Sequence, residues 1–110
     1  MNPRFAAALL ASIGSVFLSQ AAFATEHYGK TVSVIQTAIS DCYYFMLTGV
    51  SQSDPITPNS PWFAISKTQA NAKEMYTVLV AARTTGVALP QVTTSGATVC
   101  GHAQVQSIYY

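Results

Sequence analysis

After an apolar opening, the chain settles into short alternating patterns. From Phe5 to Leu18 the apolar run is broken only by Ser12, Gly14 and Ser15. Past Thr25 the spacing changes. Tyr28 to Thr37 (YGKTVSVIQT) is rich in β-branched residues and predicts a strand with Val32 and Val34 on one face. Cys42 to Leu47 (CYYFML) is apolar on both faces, as a central strand is. Alternation puts Tyr43, Phe45 and Leu47 on one side, and Cys42, Tyr44 and Met46 on the other, with Gly49 ending the run. Ser51 to Pro61 (SQSDPITPNSP) holds three prolines among small polar residues and predicts an exposed loop. A short strand restarts over Pro61–Ile65.

One segment has helical spacing. Asn71 with Glu74 forms a capping-box pattern, so a helix is expected from about Ala72. Ala72, Met75, Tyr76, Leu79, Ala82 and Arg83 line up on one face and predict core or subunit contacts. Arg83 suits the negative end of the helix dipole, and Gly86 can end the helix in a left-handed conformation. Val87–Thr94 then reads as a strand weakened by Pro90, Gly96 as a turn, and Ala103–Tyr110 as a last strand. The order is β-β-β-α-β-β. One helix against about five short strands predicts an α+β, mostly β domain: a small, partly open barrel with the helix across it.

The opening block changes how the composition is read. Met1-Asn-Pro-Arg4 is a short basic start, the apolar run is about 14 residues against the roughly 20 that span a bilayer, and Ala22-Phe23-Ala24 offers small residues where signal peptidase cuts. We therefore read residues 1–24 as a cleaved signal peptide and 25–110 as one domain, exported to the periplasm or secreted. No cysteine follows the cut directly, the first being Cys42, which argues against a lipid anchor. Of the 110 residues, about 86 remain. In that part Lys30, Lys67, Lys73 and Arg83 balance Glu26, Asp41, Asp54 and Glu74. A neutral surface does not steer nucleic acid or an anionic membrane, and it tolerates self-association.

A domain this small has a marginal core if it stands alone. Cys42 and Cys100 meet that need: in an oxidising compartment two cysteines allow one intramolecular bridge, worth about 4 kcal/mol for a loop of this length. It would join the second strand to the segment leading into the last. Metal binding or thiol catalysis would want a C-x-x-C spacing or a ring of ligands.

Taken together, Cys42-Tyr-Tyr-Phe45, Pro61-Trp-Phe-Ala-Ile65, a helix over 72–85 ending at Gly86, and Cys100-Gly-His-Ala-x-Val105 resemble a group of small exported bacterial proteins. That group is similar in layout to the binding (B) subunits of AB-type toxins, of the subtilase-cytotoxin and pertussis-like kind. The resemblance spans most of residues 30–110. It implies an OB-like barrel with one helix, assembly into rings of five, and a cell-surface glycan as ligand.

The residues themselves offer little catalytic pattern. The four acids have no local pairing. Ser51 in Gly49-Val-Ser-Gln-Ser53 lacks the second glycine of a nucleophile elbow. His27 and His102 could meet an Asp and a Ser only through the fold, and His27 is expected to sit at a frayed end. Cys100-Gly-His102 supplies at most two zinc ligands, so His102 is read as a polar residue beside the bridge, and no metal or cofactor is expected. Gly49, Gly86, Gly96 and Gly101 are isolated turn glycines. What stands out is aromatic. Trp62 follows the proline-rich loop, and Tyr43 and Tyr44 occupy adjacent strand positions, so one of them faces outward. Sugars are held by an aromatic face with hydroxyl and amide partners, which Ser51 and Ser53 supply. The bland alternative is that Trp62 and Phe63 fill the core. The reading is a non-enzymatic exported binding module, with Trp62, Tyr43, Tyr44, Ser51 and Ser53 as ligand-binding candidates and a glycan or host-surface partner. A small periplasmic protein that binds or inhibits another protein is the alternative.

Overall fold

A computed structural model of the protein describes residues 24–110; the signal peptide expected over residues 1–24 lies, but for Ala24, outside the described residues. Six strands and one helix follow in order: β1 (Glu26–Lys30), β2 (Val32–Gln36), β3 (Cys42–Leu47), β4 (Phe63–Ser66), α1 (Ala72–Thr85), β5 (Leu89–Val99) and β6 (His102–Tyr109). They form one mixed sheet in the order β1-β5-β6-β4-β3-β2. Its two terminal strands, β1 and β2, are separated in the chain by Thr31 alone, so one continuous segment pairs with β5 at one end and β3 at the other. A sheet whose first and last strands are covalently continuous must curl. The result is the OB-like, partly open barrel with one helix, since curling toward closure is how a small sheet removes its edges. The strand expected over 28–37 thus becomes two, which raises the count from five to six.

The bend has a local cause. Gly29 takes φ +64°, where a side chain is disfavoured. The β2–β3 register also slips between Val32 and Val34. That irregularity corrects the expectation that both valines share a face: Val32 is buried in the core, whereas Val34 is exposed and Ile35 packs against the core instead. An extra residue on one strand re-aims every side chain beyond it.

The barrel interior is filled by Val32, Phe45, Leu47, Phe63, Val92 and Val105, with Phe45 and Phe63 stacked at 4.9 Å. The helix closes it with Ala72, Met75, Leu79 and Ala82, the 3, 4 spacing expected. Tyr76 is only half-buried, and Arg83 is exposed on the last turn. Gly86 ends the helix at φ 73°, its N–H donating to the Ala82 carbonyl at 2.9 Å. The capping box does not form. Asn71 makes no side-chain cap; its Oδ1 accepts from Gln69 Nε2 and its own amide reaches the Gln106 carbonyl, tying the helix entry to β6.

β5 also departs from expectation. It runs through Pro90 and Gly96 to Val99, with register irregularities after Thr93 and Thr94 that absorb the glycine. A two-residue turn, Cys100 (φ 52°) and Gly101 (φ 78°), then leads into β6. Positive φ at both positions is what a tight hairpin needs. Cys100 is bridged to Cys42 at the start of β3, as expected, with Cα atoms 6.6 Å apart.

Candidate functional site

The disulfide lies beside a cluster of rings on the outside of the barrel. Tyr44, two residues after Cys42 on β3, and His102, which opens β6 just past the Cys100–Gly101 turn, meet on the outer face beside the bridge. The Tyr44 ring meets the His102 imidazole edge-on at 5.4 Å. Trp62, just before β4, lies 6.3 Å from the same imidazole. Between them β4 and β6 run parallel, paired at Phe63–Ala103 and Ala64–Gln104. Phe63 and Ala103 face inward. On the outer side, Ala64 is fully buried although it has no core neighbour across the sheet, so the larger side chains around it cover it. Tyr44 is its partner on β3 and Gln104 its partner on β6.

The patch thus consists of three half-buried rings, Tyr44, Trp62 and His102, over a small-residue floor. Polar groups rim it. Ser40 Oγ lies 2.7 Å from the Tyr44 hydroxyl and accepts the Cys42 N–H, which fixes the Tyr44 tip. Gln104 Oε1 accepts from Ser95 Oγ at 3.0 Å. Apolar faces with a few placed hydroxyl and amide groups are the general make-up of a small-molecule site. In OB barrels the outer face of the second and third strands, here β3 and β4, is also where oligosaccharides and oligonucleotides bind.

The other candidates lie elsewhere. Tyr43 points to the opposite side of β3, stacks on Tyr76 of α1 at 4.3 Å, and has the Lys67 ammonium 5.2 Å above its ring. It joins helix to sheet. Ser51 is exposed at the start of the proline-rich loop. Ser53 is fully buried, its hydroxyl 3.3 Å from Thr57 Oγ1 and donating to the Ser60 carbonyl, so it shapes the loop from within and cannot touch a ligand there. Trp62 is not core, as the bland reading had it; Phe63 is. His102 joins the site against the reading of a bystander beside the bridge.

The loop itself corrects a second expectation. Ser51–Pro61 is not exposed throughout: Ser53 and Asp54 are buried beneath it. His27 is not frayed either. It pairs with Val92 in β1, its ring packs edge-on against Phe63 at 5.3 Å, and Nε2 donates to the Ser53 carbonyl at 2.7 Å. That nitrogen faces a carbonyl, while the Ser53 hydroxyl is engaged elsewhere, so His27, Ser53 and Asp54 lie close together without the geometry of a nucleophile and its base. Among the described residues no group of three or more His, Cys, Asp or Glu could hold a metal ion. Nor is any described helix long and apolar enough to cross a membrane. One titration is perturbed: the exposed Tyr28 hydroxyl donates to Glu26, which raises its pKa above the ordinary 10.0.

Away from the aromatic patch, a concavity of about 750 Å³ runs between α1 and the start of β5, walled by Val78, Ala82, Leu89, Pro90 and Tyr110. It is mostly apolar. Comparison of the chain with family models, curated proteins and solved structures returns no match.

Proposed function

We propose that this is an exported, non-enzymatic binding module whose outer sheet face takes a glycan on Tyr44, Trp62 and His102. The observation that carries the proposal is the half-buried Trp62 on the outside of the barrel, beside two further rings and over the small Ala64. A domain with so few large side chains leaves its one tryptophan partly in solvent, which favours contact over packing. Ser40, Ser95 and Gln104 supply the hydroxyl and amide groups that orient a sugar. The near-neutral composition disfavours nucleic acid on the same face. The resemblance to toxin B subunits points the same way, and self-association into a ring belongs to the same reading.

A glycan array tests it. Binding by the protein that disappears in Trp62→Ala and weakens in His102→Ala, with the melting temperature nearly unchanged, supports the proposal; an array blank for the native protein overturns it. Light scattering addresses the ring, which a strict monomer at high concentration excludes. A second reading, a protein-binding or inhibitor module, is favoured by the apolar groove between α1 and β5. It would be marked by loss of partner binding in Val78→Lys with the aromatic face intact.

A further inference from the structure

Asp54 is 2% exposed, and its carboxylate is held by two neutral donors: Oδ1 accepts the Ile56 N–H at 2.9 Å, and Oδ2 accepts the Thr94 hydroxyl at 2.5 Å. Burying a carboxylate is costly unless a cation is near. His27 Nε2 is spent on the carbonyl of Ser53, the residue before Asp54. What does reach the cluster is the backbone of Thr25. Its nitrogen donates to Thr94 Oγ1 at 3.0 Å, and its carbonyl accepts the Thr94 N–H at 2.8 Å. The Thr25 nitrogen is therefore one hydroxyl away from the Asp54 carboxylate.

Thr25 is also the residue that follows Ala22-Phe23-Ala24. We propose that hydrolysis of the Ala24–Thr25 bond makes the counter-ion of Asp54. In that step, which a signal peptidase catalyses, water adds across the peptide bond. Ala24 leaves with the carboxylate, and Thr25 keeps the amine, which takes up a proton at neutral pH because a free α-amino group titrates near ~7.7. A neutral amide with one N–H becomes an ammonium with three. One N–H keeps the Thr94 hydroxyl, and the new charge faces Asp54 across it. Processing then does more than detach the leader. It completes a buried ion pair that pins the first strand and the 51–61 loop to β5. The inference rests on the export reading for the cut, while the contact itself rests on the fold alone.

The test compares two forms of the disulfide-bonded domain, one beginning at Thr25 and one beginning at Ala24, each with and without Asp54→Asn. The form with a free Thr25 amine should melt about 5 °C higher than the Ala24 form. The gap should close in Asp54→Asn, which keeps an acceptor for Ile56 but removes the charge. Equal melting of the two native forms, or a gap of the same size in Asp54→Asn, overturns the proposal. Should Asp54→Asn fail to fold, acylation of the α-amine decides the matter in the native sequence. Labelling about tenfold slower in the folded protein than in urea supports the pair, and equal rates overturn it. N-terminal sequencing of protein exported from the full chain addresses the cut separately: a start at Thr25 supports it, and any other start overturns the processing step while the melting comparison still reports on the contact.

Discussion

Trp62 and Phe63 are neighbours in the chain with opposite fates, as are Tyr44 and Phe45. Phe45 and Phe63 stack in a sealed core, while Tyr44 and Trp62 lie half-buried on the outer face around His102. The pleat decides which is which, because successive strand residues point to opposite sides. The inner face is held by volume, since filled space inside the barrel leaves no room to lose. The outer face is held by edges and hydrogen bonds, as at the Tyr44 hydroxyl and Ser40, and keeps surface in reserve. Stability should therefore reside on one face and recognition on the other.

The strongest way to break that contrast is to hollow the core. Phe63→Ala removes a fully buried ring stacked on Phe45 and should cost about 4 kcal/mol by urea unfolding. A loss below about 1 kcal/mol would mean that the inner face is not what holds the fold. Replacing Cys42 and Cys100 together with Ala should cost about 4 kcal/mol. It should also loosen the Tyr44–His102 contact, since the bridge lies beside it, and this shows as a shifted His102 ring resonance.

Smaller effects sharpen the comparison. Val32→Thr should destabilise by about 1–2 kcal/mol, while Val34→Thr, beyond the bulge, should stay within about 0.5 kcal/mol. Equal effects would argue against the register slip. Trp62→Ala should shift stability by no more than about 1 kcal/mol yet remove ligand binding. The smallest effect lies at the exposed edge of β1: Tyr28 should titrate above the ordinary 10.0 in an NMR pH series, and Glu26→Gln, which removes the largest cause, should bring it back toward that value.

Much of the architecture was legible because it is local. Cys42–Leu47 was bounded correctly by its own apolar run, and α1 by its 3, 4 spacing and Gly86. The 28–37 segment was read as one strand because nothing in its residues tells which partner each half takes. β5 was ended too early at Thr94 because Gly96 reads locally as a turn, and only pairing with β6 carries the strand past it. The site was half legible. Trp62 and Tyr44 stood out as rings, but Tyr43 and Tyr44 could not be told apart without knowing which side of β3 faces the helix. His102 was passed over because its neighbour in space, Tyr44, is far along the chain. Ser53 and Asp54 were misread because a proline-rich polar segment looks solvent-exposed unless the barrel beneath it is known.

By itself the sequence determined most of the elements, the single bridge and a near-neutral composition, since each depends on near neighbours or on composition. The tertiary structure alone decided that β1 and β2 close the sheet, that Tyr44, Trp62 and His102 share one face, and that Thr25 reaches toward a buried Asp54. Those contacts join residues far apart in the chain. Their geometry is set by strand register and curvature, which no local run of residues encodes.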